Sequence, residues 1–420
     1  MVSTIFYREA ATFDIEDKDK YFGLEEKNAQ IAYEYRQRQL KTIKGFVALI
    51  GLSVAVALFV GFPRENNERI SQYCPSDFDV NEVDLVFFVI GDWGRNGSKS
   101  QRRGADLMLT LAHCMNPSFV ISTGDNFYNF GLNSASDPTF TKSFSDIYNS
   151  SSLDIPWYAV LGNHDYGDSI DLLSDVDNRC NATSYNKDIN LCPPGCCYSP
   201  IWQTTPYTHA RDRRWHAQQG VWSFSKTIPG SGSLVDFVMM DTSPLVERYS
   251  QEPWAKLPKG LDTMRRTALL KDTLSTLARV HRRKSAWRIA VGHHPVYSLG
   301  VHCAGSHGDC ASMAPLKKPL NEYGYAVHFA GHDHNLQMLV PSAETTAYVV
   351  SGAGSNTRAG EFTEKVMNVP EHKEMTKFVA EDQGFVAVTI RGDLMKLYFF
   401  TAGNAEKAAF VQEVIRPGKA

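Results

Sequence analysis

The sequence predicts an α/β domain of layered β-sheets flanked by helices, carried behind a single N-terminal transmembrane helix. Three observations predict it. From Glu82 onward, nine short apolar runs alternate with helix-like segments. Five of those runs end in a polar cluster headed by glycine, as strand ends that open onto a ligand do. Between Lys44 and Arg64 lie nineteen residues without a charge. At 420 residues, 43% hydrophobic and 21% charged, the chain is too apolar for wholesale disorder and long enough for a sizeable core. Its 43 Lys and Arg against 46 Asp and Glu leave no positive excess to track a phosphate backbone, so no nucleic-acid partner is expected.

Taken in order, residues 1–44 carry eight basic and eight acidic side chains with little apolar period, and read as a solvated tail. Residues 45–63 are apolar all round apart from Ser53, whereas a core helix keeps a polar stripe. A membrane span is the reading. Ala55-Val56-Ala57 resembles a signal-peptidase site, but the 44 residues in front are far longer than a signal peptide's basic region, which favours an uncleaved signal anchor. Arg36, Arg38, Lys41 and Lys44 precede the span, and only Arg64 and Arg69 follow it closely. The N-terminus is therefore expected in the cytosol and the remainder in the lumen or outside the cell, a type II arrangement at an endosome-like or lysosome-like membrane or the cell surface. All eight cysteines, Cys74 to Cys310, lie on the oxidising side. Asn96, Asn149 and Asn181 head glycosylation triplets there. Residues 64–82 read as a polar stalk and 83–420 as the folded domain.

Within that domain, strands are expected at 85–90, 119–122, 157–161, 235–240, 287–291, 325–330, 348–351, 385–390 and 394–400, the last two as a hairpin turning at Arg391-Gly392-Asp393. Helices are expected at 102–115, 261–283 and 313–323. Residues 171–220 break the rhythm with four cysteines and many polar residues, and read as a disulfide-pinned insertion. The basic stretch Arg211 to Arg214 within it is expected to be solvated.

Five clusters follow five strands: Gly91-Asp92-Trp93-Gly94, Gly124-Asp125-Asn126-Phe127-Tyr128, Gly162-Asn163-His164-Asp165, Gly292-His293-His294-Pro295 and Gly331-His332-Asp333-His334. Each glycine lets the chain turn sharply at the sheet's edge. Singly these are ordinary turns. Together they bring two aspartates, a tyrosine, an asparagine and three histidines to one rim, a donor set suited to two close metal ions. His332 and His334 alternate, so a sharp bend between them is needed to aim both rings at one centre.

In these blocks the chain resembles the calcineurin-like metallophosphoesterases and, within them, the purple acid phosphatases of the small tartrate-resistant type. GDWG, GDNFY, GNHD, GHHP and GHDHNLQ match the family's ligand motifs in order, and SGAG at Ser351 to Gly354 extends the likeness. The resemblance implies a metallophosphoesterase-like sheet sandwich. It also implies that Asp92, Tyr128 and His334 bind Fe(III), that Asn163, His293 and His332 bind a divalent ion (Fe, Zn or Mn), and that Asp125 bridges the two. A phenolate suits the ferric ion, and an amide with two imidazoles suits the divalent one.

The same likeness assigns His164 and His302 to the phosphate and its leaving group. His302 is favoured over His307 in a loop whose two cysteines, Cys303 and Cys310, could hold either ring if they bridge; eight cysteines allow 105 connectivities, and no pair is assigned. His294 reads as rim packing. The implied reaction is hydrolysis of a phosphomonoester by a metal-activated hydroxide, with an acid optimum. Two rivals stand beside it: a catalytically silent membrane-anchored scaffold of the same fold, and a phosphodiesterase or nucleotidase on the same site.

Overall fold

The computed structural model describes residues 74–167, 200–205, 207–252, 266–304 and 308–418. The expected tail and anchor, most of the cysteine-rich stretch, Asn181 and His307 lie outside the described residues. Among the described residues, no helix is long and apolar enough to cross a membrane.

Two seven-stranded sheets form the centre. The first comprises β1 (Leu85–Ile90), β2 (Val120–Ser122), β3 (Trp157–Ala159), β4 (Trp215–Ala217), β12 (Gly384–Arg391), β13 (Leu394–Thr401) and β14 (Phe410–Ile415) in the order β14-β13-β12-β1-β2-β3-β4. The second comprises β5 (Val221–Thr227), β6 (Leu234–Met240), β7 (Trp287–Val291), β8 (Val327–Ala330), β9 (Leu336–Leu339), β10 (Ala347–Ser351) and β11 (Thr376–Ala380) in the order β11-β9-β10-β8-β7-β6-β5. The strands that carry the polar clusters are parallel: β1 to β2 and β2 to β3 in one sheet, β7 to β8 in the other. Their carboxyl ends therefore open on one side.

Burial on both faces explains why these strands read as continuous apolar runs. In β1, Leu85, Phe87 and Val89 pack against Val235, Phe237, Ile289 and Phe329 of the second sheet. Val86, Phe88 and Ile90 point the other way, onto Met108 and Leu111 of α1 (Lys99–Met115). The outer face of the second sheet, Val238, Met240 and Ala290, is covered by Leu269, Leu277 and Val280 of α2 (Arg266–His281) and by Met313, Leu316 and Leu320 of α3 (Asp309–Glu322). The result is a helix, sheet, sheet, helix stack. Ser98 caps α1 by accepting from the Gln101 amide, and Asn116 ends it in the left-handed region at φ 47°.

The nine expected strands are present with ends shifted by up to two residues. Five more were not read from the sequence: β4, β5, β9, β11 and β14. Four of these, β4, β5, β11 and β14, are edge strands, and β9 carries the buried Gln337 where an apolar residue would announce a strand. The hairpin between β12 and β13 turns where expected, with Gly392 at φ 56°.

Residues 200–217 differ from the insertion expected there. Trp215 of β4 is fully buried and packs against Trp93, Phe127 and Phe144, so this stretch belongs to the first sheet's core. Arg214, expected in solvent, is buried with its guanidinium on Asp212 and the carbonyls of Tyr148 and Leu153. Two disulfides are described, Cys74–Cys114 and Cys303–Cys310.

Candidate metal centre

Strand ends bring the expected donors together, and Asp125, Asn163, His164, His302, His332 and His334 line a cavity of about 450 Å³. Asp92 follows β1, Asp125 and Tyr128 follow β2, Asn163 and His164 follow β3, His293 follows β7, and His332 and His334 follow β8.

Asp92, Asp125 and His332 lie in the left-handed region, at φ 59°, 50° and 70°. Such backbone is costly for residues with a Cβ and is held here by the surrounding bonds. At His332 it supplies the bend that alternating ligands need. Of the five leading glycines only Gly124 has a positive φ, 97°. At Gly162 and Gly331 the requirement is room: a Cβ would overlap the carboxylate of Asp125 at the first and of Asp92 at the second. The expected sharp turn is therefore the reason for one glycine, and close approach the reason for these two.

The first group of donors converges on the Tyr128 hydroxyl. It lies 3.0 Å from Asp92 Oδ1, 2.9 Å from Asp125 Oδ2 and 3.0 Å from His334 Nε2. The second group meets at His293, whose Nε2 is 3.1 Å from Asn163 Oδ1 and 3.4 Å from Asp125 Oδ1. Asp125 thus turns one oxygen to each group. His293 Nδ1 is 2.9 Å from the Thr123 carbonyl, to which it donates, leaving Nε2 as the free electron pair. His332 departs from this pattern: its Nε2 faces Asp309 Oδ2 at 2.8 Å.

The electrostatics fit bound cations. Burial pushes Asp92 up to about 7, opposed by His293 and aided by Asp125. Burial, then the Asp125 and Asp92 carboxylates, raise the Tyr128 phenol well above its ordinary value. Burial also depresses His334 to about 3, with Arg358 and Arg95 adding to it. Asp125 alone among these acids is lowered, because His293, His164 and its hydrogen bonds together outweigh burial. Carboxylates, a phenol and neutral imidazoles with lone pairs crowded together are a donor set for hard and borderline metal ions.

The two expected acid–base histidines sit at the cavity. His164 is 2.6 Å through Nδ1 from the Asn129 carbonyl, and its main-chain amide donates to Asp125 Oδ1 at 2.9 Å. His302 stacks on the His332 ring, centroids 4.0 Å apart, and its Nδ1 lies 2.9 Å from Asp333 Oδ1. His294 is not a rim residue. It is fully buried, with Nδ1 2.9 Å from Thr242 Oγ1 and Nε2 3.3 Å from the Tyr249 hydroxyl, so both ring nitrogens are engaged.

Three carboxylates went unassigned in the sequence. Asp333 backs His302 and lies inside a ligand block, so the signal was present. Asp165, also in a block, accepts from the amides of Gly162, Asn126 and Phe127 and from Gln203 Nε2, and so ties the β2 and β3 loops together. Asp309, at the start of α3, had no motif to mark it.

Comparison with known proteins agrees with this geometry. Residues 85–336 match the family model described as calcineurin-like phosphoesterase. Purple acid phosphatase 4 of Arabidopsis thaliana is 31% identical over 324 residues, 76% of this chain and 81% of that protein. Tartrate-resistant acid phosphatase type 5 of Homo sapiens is 27% identical over 293 residues, 67% of this chain and 76% of that protein. Among solved structures, GAP50, the anchor in the inner membrane complex of Plasmodium, aligns with a TM-score of 0.56 at 19% identity, over 80% of this chain and 90% of that one. The purple acid phosphatase PPD1 of yellow lupin aligns with a TM-score of 0.50 at 16% identity, over 80% of this chain and 54% of that one. These likenesses in structure carry the fold, while the family model and the sequence relatives carry the lineage: the chain belongs to the calcineurin-like phosphoesterases and, within them, to the purple acid phosphatases.

Proposed function

We propose that the chain is an acid phosphatase that hydrolyses phosphate monoesters at a dinuclear Fe(III)–M(II) centre, M being iron, zinc or manganese. Asp92, Tyr128 and His334 would hold the ferric ion, Asn163, His293 and His332 the divalent ion, and Asp125 both. The observation that carries the reading is the divided Asp125 carboxylate, with one oxygen at the Tyr128 hydroxyl and the other at His293. Two cations at such a site draw charge from the phosphate oxygens and make a nucleophile of water near neutral pH or below.

The chain's own residues complete the reaction. His164, its Nδ1–H held by the Asn129 carbonyl, offers Nε2 to the phosphate. His302, its Nδ1–H held by the Asp333 carboxylate, would present Nε2 to the departing oxygen as the proton donor.

A protein described as a membrane-complex anchor shares the fold, so the fold alone does not distinguish catalysis from anchoring. The filled donor set argues for catalysis. For the N-terminal region, residues 45–63 would act as a signal anchor, with the enzyme on the lumenal or extracellular side. Two disulfides and the exposure of Asn96 and Asn149 support that address.

The test is the visible spectrum of the iron-loaded protein. A purple band that disappears in Tyr128→Phe, with turnover of an aryl monoester well above that of a diester, is the expected result. A colourless, folded, metal-loaded protein would overturn the ferric assignment, and diester preference would favour the nucleotidase or phosphodiesterase reading.

A further inference from the structure

We propose that Asp309 is a positioning residue for the second metal ion: it accepts a hydrogen bond from the Nε2–H of His332, so that Nδ1 is the ring nitrogen left to bind the ion. This rests on reading His332 as a ligand of the divalent ion.

His332 Nε2 and Asp309 Oδ2 are 2.8 Å apart, and both side chains are only 3% exposed. A neutral imidazole has one donor and one acceptor nitrogen, and a carboxylate only accepts, so the contact fixes the tautomer. Asp309 is itself fixed. Arg248 grips it with both prongs, Nε to Oδ1 at 2.6 Å and a terminal nitrogen to Oδ2 at 2.8 Å.

The ring has little freedom. Its main-chain amide donates to Asp92 Oδ2 at 3.0 Å, the His302 ring stacks on it, and the His294 ring centroid lies 4.4 Å away. Asp309 is set just before Cys310, and His302 just before Cys303, in the disulfide that joins the two cysteines. One cross-link therefore frames both groups that bear on His332. A charged carboxylate behind a ligating imidazole raises the basicity of the bound nitrogen as well as aiming it.

The experiment uses the full-length chain carrying one equivalent of iron and titrates it with Zn²⁺ in a chelator buffer, reading zinc and iron content. Wild type is expected to take up one zinc per chain. Asp309→Asn should raise the free zinc needed for half-saturation by about ten- to a hundredfold while keeping its iron and visible band, because the loss is confined to one ion. Damage that was merely structural would release both. Arg248→Gln, which leaves the carboxylate but loosens it, should shift zinc uptake the same way by a smaller factor, and it serves as the test if Asp309→Asn does not fold. His332→Ala should abolish zinc uptake. Unchanged uptake in His332→Ala would overturn the reading of His332 as a ligand, and this proposal with it. Unchanged uptake in Asp309→Asn or in Arg248→Gln, with His332→Ala zinc-free, would overturn the positioning role alone.

Discussion

The two sheets contribute different chemistry to the site. The first sends Asp92, Asp125, Tyr128 and Asn163, all of them oxygen donors. The second sends His293, His332 and His334, all imidazoles. Support runs in opposite senses too: Asp125 and Asp92 accept main-chain amides, from His164 and His332, whereas His293 donates its ring proton to the Thr123 carbonyl across the sheets. Burial raises Asp92 to about 7 and lowers His334 to about 3, favouring the neutral form on each wall, whereas at the shared Asp125 burial is outweighed by His293, His164 and hydrogen bonds. The lesson is that neither sheet holds a metal centre alone. The site is a product of their stacking, with hard donors on one wall and borderline donors on the other.

The strongest way to break this arrangement is to remove the residue both walls share. Asp125→Ala should lower turnover of an aryl phosphate by about a thousandfold or more, since several kcal/mol of transition-state stabilisation depend on the two ions. Steady-state assay with metal analysis checks it, and retention of most activity would sink the shared role. A smaller effect should separate one wall from the other. His164→Asn and His302→Asn should each cost about a hundredfold in kcat. Only the His302 loss should shrink as the leaving group becomes more acidic, because a good leaving group needs no proton. A series of aryl phosphates reads that difference.

The smallest effect concerns stability away from the metals. Burial holds Asp241 up to about 7, with its Oδ2 accepting from the Tyr166 hydroxyl at 2.6 Å. In the unfolded chain an aspartate titrates near 4, so between about pH 4 and 7 folding takes up a proton and stability falls as pH rises through that window. The melting temperature of metal-free protein should therefore be higher at pH 5 than at pH 8. Asp241→Asn should flatten that slope by about a few degrees. An unchanged slope would mean that Asp241 does not carry it.

The ligand blocks were legible because each follows a strand buried on both faces, and a run such as Leu85 to Ile90 announces both the strand and where it ends. The edge strands were not, since Val221 to Thr227 and Phe410 to Ile415 are only partly buried and carry no continuous apolar signal. Nor was the depth of His294, which depends on Thr242 and on Tyr249 from a separate segment. Asp309 was hidden for a related reason. Its partners Arg248 and His332 are 61 and 23 positions away, and it begins a helix that contains Pro315 and Pro319, so neither spacing nor period pointed to it. The glycines were read for flexibility when two of them serve as empty space.

The Cys74–Cys114 disulfide joins the first described residue of the domain to the last turn of α1. A pull on the chain ahead of Cys74 therefore loads a covalent bond into a helix whose inner face is packed against the first sheet, and bypasses the strand hydrogen bonds that would otherwise be peeled one by one. Tension applied through the N-terminus reaches the domain as a force on its scaffold.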